Sequence, residues 1–223
     1  MRYQLTITID NAGLTALYAA DLAIAIVKGV LGEPRPVVWQ QFQPFEENAV
    51  SWSDDYGLFA TATPLQPGAV ILPNATTEDA AQMGWTYSFA QGQFTGAPGG
   101  PAEGYNALNQ AGRTLGFGLM QRAGVNNVPV FAPVGATPLA NEMVGVFTPV
   151  EAVLVFVAPL SRPGLVLAEI PATALPVALT PARPVAALGY DDATQTFQVI
   201  GETAPETFRS PRAIAGRLAS KRS

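Results

Sequence analysis

Proline and glycine limit the length of any element this chain can form. The 223 residues include 20 prolines and 21 glycines, and ten of the prolines lie between Pro129 and Pro184. Proline removes a backbone donor that a helix interior needs, and it fits strands only at edges, ends or bulges. Long helices are therefore excluded from that half, and its strands are expected to be short or to lie at sheet edges. Elsewhere the chain repeats one theme: short apolar-polar alternations separated by Pro, Gly, Asn or Asp, the spacing of a sandwich or barrel. The expected fold is all-β, a mostly antiparallel β-sandwich or a barrel-like variant, with a short N-terminal helix and a basic C-terminal arm. A hydrophobic fraction of 48% against 13% charged residues is far from the composition of disorder. No linker divides the chain, so residues 1–205 are expected to form a single β-rich domain and residues 206–223 the arm.

Residues 2–9 alternate, with Leu5, Ile7 and Ile9 on one face and Thr6 and Thr8 on the other, and the strand stops at Asp10, Asn11 and Gly13. Residues 14–20 favour a helical turn, and the following "LAIAIVKGV" places Leu22, Ile24 and Ile26 in one row of a strand. Further strands are expected over 37–42, 49–62, 69–72, 85–94, 114–121, 152–158, 165–170, 185–190 and 196–200. "GAPGGPAEG", residues 96–104, reads as a surface loop. No fixed-period repeat appears, which disfavours propellers and solenoids. The stretch "YDDATQTFQV", residues 190–199, resembles the second hairpin of the immunoglobulin-binding domain of streptococcal protein G, with Gln195 where that hairpin carries a lysine. The resemblance implies a turn at 191–195 with Tyr190 facing Phe197, and no antibody binding.

Chemistry is narrowed by what is missing. Without cysteine there is no disulfide, thiolate nucleophile or Cys-ligated metal. Without histidine there is no Ser-His-Asp triad and no common transition-metal ligand. No G-x-S-x-G elbow occurs, and Lys28 and Lys221 lie in neither a Walker nor a recognisable Schiff-base context. Gly112, Gly116 and Gly118 fail the dinucleotide pattern and suggest close sheet packing instead. No catalytic residue and no metal ligand is assigned. The first ten residues lack the regions of a secretory signal, and no apolar run is long enough to span a bilayer, so no transmembrane segment is expected. The expected location is cytoplasmic, or exported without a conventional signal peptide. Asn74-Ala75-Thr76 fits a glycosylation pattern that such a chain would not use.

The densest concentration of chemistry is "VVWQQFQPFEENAVSWSDDYGLFATA", residues 37–62, with two tryptophans, four carboxylates and no cation. Trp39, Trp52, Asp54, Asp55, Tyr56 and, further on, Trp85 are the candidate ligand-binding residues. They form either part of the core or an aromatic, acidic surface able to stack sugar rings or meet lipid headgroups. Asp54 and Asp55, helped by Glu46 and Glu47, leave calcium as the one cofactor open. Adjacent carboxylates on a strand point to opposite faces and make a poor acid/base pair for glycoside hydrolysis. Between Arg35 and Arg113 there are seven carboxylates and no cation, whereas from Arg209 onward there are five cations and no acidic side chain. Arg209, Arg212, Ile214, Arg217, Leu218, Lys221 and Arg222 are thus the candidate oligomerisation arm, its cations meeting acidic surface and Ile214 and Leu218 forming an apolar stripe. With net charge −5 and pI near 4.7, nucleic acid is not an expected partner. The sequence favours a non-catalytic protein that associates with copies of itself. The alternative is a glycan- or lipid-binding module or a membrane-active toxin.

Overall fold

The computed structural model describes residues 1–31, 35–77 and 80–200. In chain order the elements are β1 (Arg2–Thr8), α1 (Asn11–Ala19), β2 (Leu22–Leu31), β3 (Arg35–Pro36), β4 (Val38–Phe42), β5 (Glu47–Thr61), β6 (Ala75–Thr76), β7 (Trp85–Ala90) and β8 (Gln93–Pro98). They continue with β9 (Tyr105–Asn109), β10 (Leu115–Val125), β11 (Val128–Leu139), β12 (Val144–Pro159), β13 (Leu175–Ala178), β14 (Val185–Asp191) and β15 (Thr196–Val199). The expected short helix forms as α1, capped by Asp10, whose side chain accepts from the Gly13 amide at 2.7 Å.

Two curled sheets face each other across one core. The first runs β15-β14-β1-β5-β10-β11-β3, with β6 beside β5; the second runs β4-β2-β12-β9-β7-β8, with β13 beside β12. β1–β14 and β7–β9 are parallel and the other ladders antiparallel, so the all-β, sandwich-like expectation holds. The inward rows of β1 (Leu5, Ile7), β2 (Ile24, Ile26), β5 (Val50, Trp52), β10 (Phe117, Leu119) and β12 (Val153, Val155) meet in the core. The proline-rich half does wrap. Val166, with Val37 and Ile71, covers the outer face of the first sheet, while Leu165, Leu167, Ile170 and Ala174 pack over Phe156 on the second.

Several local expectations need correction. Residues 69–72 and 165–170 are not strands; they pair only through isolated bridges, Val70 with Leu165 and Val37 with Val166. Residues 85–94 are not one strand, because Gln91 and Gly92 both take positive φ and turn β7 back into β8. Asn126 and Asn127 do the same between β10 and β11. The loop read at 96–104 begins later, since β8 extends to Pro98.

Two strands overturn the expectation of short or edge strands in the proline-rich half: β12 runs sixteen residues inside the second sheet, and β11 runs twelve and carries Pro129, Pro133 and Pro138. These prolines pair with Gly124, Met120 and Gly116, each four apart on β10, because a bulge between Leu119 and Met120 absorbs the odd residue. All three prolines therefore share one phase, with the missing N–H facing the outer side of β11, where only the two-residue β3 pairs. The glycines of β10 permit the close approach: a Cβ on Gly118 would lie 1.9 Å from the Gly135 oxygen. The hairpin at the chain's end forms as the resemblance implied, with Tyr190 opposite Phe197 and ring centroids 5.2 Å apart.

Candidate functional site

Inward rows of extended strands are normally apolar, and two of them here end in polar groups. In β2 the row Ile24, Ile26 continues to Lys28; in β10 the row Phe117, Leu119 continues to Gln121. Lys28 and Gln121 are buried, and the Lys28 side chain has no exposed surface. Burying an ammonium is costly unless it is paired and hydrogen-bonded. Its Nζ donates to Gln121 Oε1 and to Glu151 Oε2, both at 2.8 Å. Trp39, Trp52 and Tyr56 surround it, with ring centroids at 5.4, 5.3 and 4.9 Å.

Irregularities in the ladders bring the groups together. The β12–β2 register jumps between Val150 and Val153, at the position of Glu151. The β5–β10 register jumps between Ala123 and Gln121, and on β5 that interval holds Ser53, Asp54 and Asp55. Trp52 and Tyr56 consequently both face inward while the two aspartates are exposed. Trp39 is the extra residue where β4 slips against β2.

Glu151 is the hub. It accepts from Lys28, from Trp52 Nε1 at 3.0 Å and from the Tyr56 hydroxyl at 2.7 Å, and its side chain keeps 19% exposure. Burial lowers the Lys28 ammonium to about 8, against the opposing pull of Glu151. Burial pushes the Tyr56 phenol far up, with the Glu151 charge adding to it, and pushes Tyr105 up to about 12 with help from Asp54. The Gln121 amide donates in turn to the Ser53 carbonyl, and Trp39 Nε1 donates to the Gln121 carbonyl at 3.3 Å.

Three of the six candidate ligand-binding residues thus meet, but around an internal lysine. Trp39, Trp52 and Tyr56 are core residues with 0%, 3% and 1% exposure, so of the two readings core packing holds and no aromatic platform forms from them. The physical reason is that their strand faces turn toward the opposite sheet. Asp54 is on the surface beside this cluster, paired with the N-terminal amine, which holds the Asp54 carboxyl below its usual range. Asp55 is exposed and accepts from Ser53 Oγ at 2.7 Å. Trp85, half-buried on β7, lies against Tyr87 with centroids 6.4 Å apart, outside the lysine cage. Glu46 and Glu47 do not join Asp54 and Asp55, because the six strand residues 48–53 separate the pairs by roughly 20 Å. Among the described residues no cluster of three or more acidic groups could hold a metal. The arm residues Arg209, Arg212, Ile214, Arg217, Leu218, Lys221 and Arg222 lie outside the described residues.

Sequence reasoning missed Lys28, Gln121 and Glu151. For the first two the signal was a polar residue placed in phase with an apolar row; Glu151 carried none. No helix among the described residues is long and apolar enough to cross a membrane. No protein-family model, curated protein or solved structure matches the chain.

Proposed function

We propose that the protein is a non-catalytic β-sandwich with a structural role, assembled from copies of itself, and that β8 is the strand through which copies meet. The observation that carries this reading is an unprotected edge. Natural sheet edges are blunted by charge, proline, bulges or cover. β3 is two residues long, and the edge strand β4 is covered by backbone hydrogen bonds between Val38 and the 164–165 segment. Among the described residues β8 pairs only with β7, its one proline, Pro98, stands at its last position, and it contains no charged residue; none occurs anywhere from 80 to 102.

The outer face behind that edge is equally neutral. Thr95 sits in a cross-strand row with Ser88, Leu108 and Val144, and Ala97 in a row with Thr86, Asn106 and Val146. Val144 and Val146 are 48% and 39% exposed. Copies carrying net charge −5 repel one another, and a charge-free edge is where two can approach at least electrostatic cost. Antiparallel pairing of β8 with its own copy is self-complementary, the requirement of a two-fold interface. Lys28, the most reactive of the buried polar groups, is enclosed and out of reach of an external substrate, which supports a non-catalytic role. Light scattering coupled to size-exclusion chromatography tests the reading: a dimer or larger assembly is expected, and a monomer across the whole accessible concentration range refutes it.

A further inference from the structure

A buried lysine needs a counter-charge, and Glu151 supplies it. Its second hydrogen bond goes to the Gln121 carboxamide, inside an aromatic enclosure. Lys28 Nζ donates to the Gln121 amide oxygen at 2.8 Å, which holds the amide carbon, one bond further on, next to the amine. A turn about the last side-chain torsion of Gln121 leaves that carbon in place and swings its oxygen aside, so that the face of the carbonyl is turned to Nζ. The same Nζ lies 2.8 Å from a carboxylate that can accept its proton. A desolvated lysine is an activated nucleophile, and burial lowers the Lys28 ammonium to about 8.

We propose that Lys28 and Gln121 join spontaneously in an ε-(γ-glutamyl)lysine amide, with Glu151 as the proton-transfer group, covalently tying β2 of one sheet to β10 of the other. The reaction balances within the site. Glu151 takes a proton from the Lys28 ammonium; the Nζ lone pair attacks Gln121 Cδ, forming the new C–N bond. Glu151 returns that proton to Nε2 and receives the second proton of the attacking amine. The Cδ–Nε2 bond then breaks and ammonia departs, taking the last proton from Glu151 as it becomes ammonium. One lysine ammonium and one carboxamide become one secondary amide and one ammonium ion, with no oxidant, reductant or cofactor. The Tyr56 hydroxyl, which donates to Glu151 Oε1 at 2.7 Å, holds the carboxylate in place beside the amine. The partial exposure of Glu151 offers ammonium a way out, while the full burial of Nζ keeps competing water from the amide.

The test is the intact mass of the full chain, measured under denaturing conditions after the folded protein has stood in mildly alkaline buffer. The expected mass is lower than that of the 23.3 kDa sequence by one ammonia, about 17 Da. Trypsin should no longer cut after Lys28, and fragmentation should yield one branched peptide joining Lys28 to Gln121. Protein kept in concentrated urea from the start should retain the full mass and lose ammonia only after refolding. Glu151→Gln, checked for native tryptophan fluorescence, should retain the full mass when folded. An unshifted mass for the folded wild-type chain overturns the proposal. So does a loss of one water, which would make Glu151 the acyl partner, or a loss of ammonia that fragmentation places at an asparagine.

Discussion

Placing lysine on the β8 edge should separate association from folding. Thr95 and Ala97 are exposed and face solvent beside the open edge, so Thr95→Lys/Ala97→Lys leaves the core untouched, and the expected change in unfolding free energy is within about 0.5 kcal/mol. In an antiparallel β8–β8 pairing centred anywhere from residue 95 to residue 97, at least one introduced lysine faces a lysine of the other copy. Facing side chains on paired strands lie about 5 Å apart. Coulomb's law at that distance gives about 1 to 3 kcal/mol of repulsion for effective dielectric constants of about 80 to 20, a tenfold to hundredfold weaker association. The variant also moves the net charge from −5 to −3, since −5 + 2 = −3. Any contact elsewhere on the surface would therefore be relieved of repulsion. Light scattering of wild type and variant at matched concentration and low salt measures the difference. Association that is unchanged or tighter in the variant refutes the edge-pairing argument, because the two mechanisms predict opposite signs.

Further outcomes follow from the packing and charge. Phe117→Ala removes a fully buried ring packed edge-on against Phe89 and Phe94, and urea unfolding should show a loss of about 3 to 5 kcal/mol; a loss below about 1 would mean the core is not packed as described. Gln121→Met cannot form the amide and keeps Lys28 beside Glu151. The folded chain should then release the Lys28 proton at lower pH than the unfolded chain, which holds it to about 10.5, so urea-measured stability should rise from pH 8 to about 9, by at most about 1.4 kcal/mol per pH unit, before the Tyr56 and Tyr105 phenols, which ionise near 10 only when unfolded, reverse the slope. A flat or falling profile there would contradict the burial of a titrating lysine. Deleting residues 207–223 removes five cations and no acidic side chain, taking the net charge to −10, since −5 − 5 = −10. Association should weaken at low salt and recover at moderate salt in light scattering; equal affinity at both salts would show that the basic segment takes no part.

Local signals carried the elements. Alternation of Leu5, Ile7 and Ile9 marked β1, Asp10 marked its end, the propensity of residues 14–20 marked a helix that in fact starts at Asn11, and the 190–199 stretch gave both the hairpin and its Tyr190–Phe197 pair. These rest on interactions between near neighbours, which a sequence displays directly. β11 was hidden, because whether a proline is tolerated depends on which way its nitrogen faces, and the adjoining β10 and its bulge decide that.

The sequence by itself determined an all-β architecture, the absence of Cys and His chemistry, and a polar residue in phase with the apolar rows of β2 and β10. Only the tertiary structure decided what those polar residues meet. Lys28 finds its partners 93 and 123 positions away in the chain, through two sheets brought face to face and a slip in the β12 register. It likewise decided that Trp39, Trp52 and Tyr56 enclose a lysine instead of facing solvent, since alternation along a strand fixes which residues share a face, and only the docking of the second sheet fixes which face is buried.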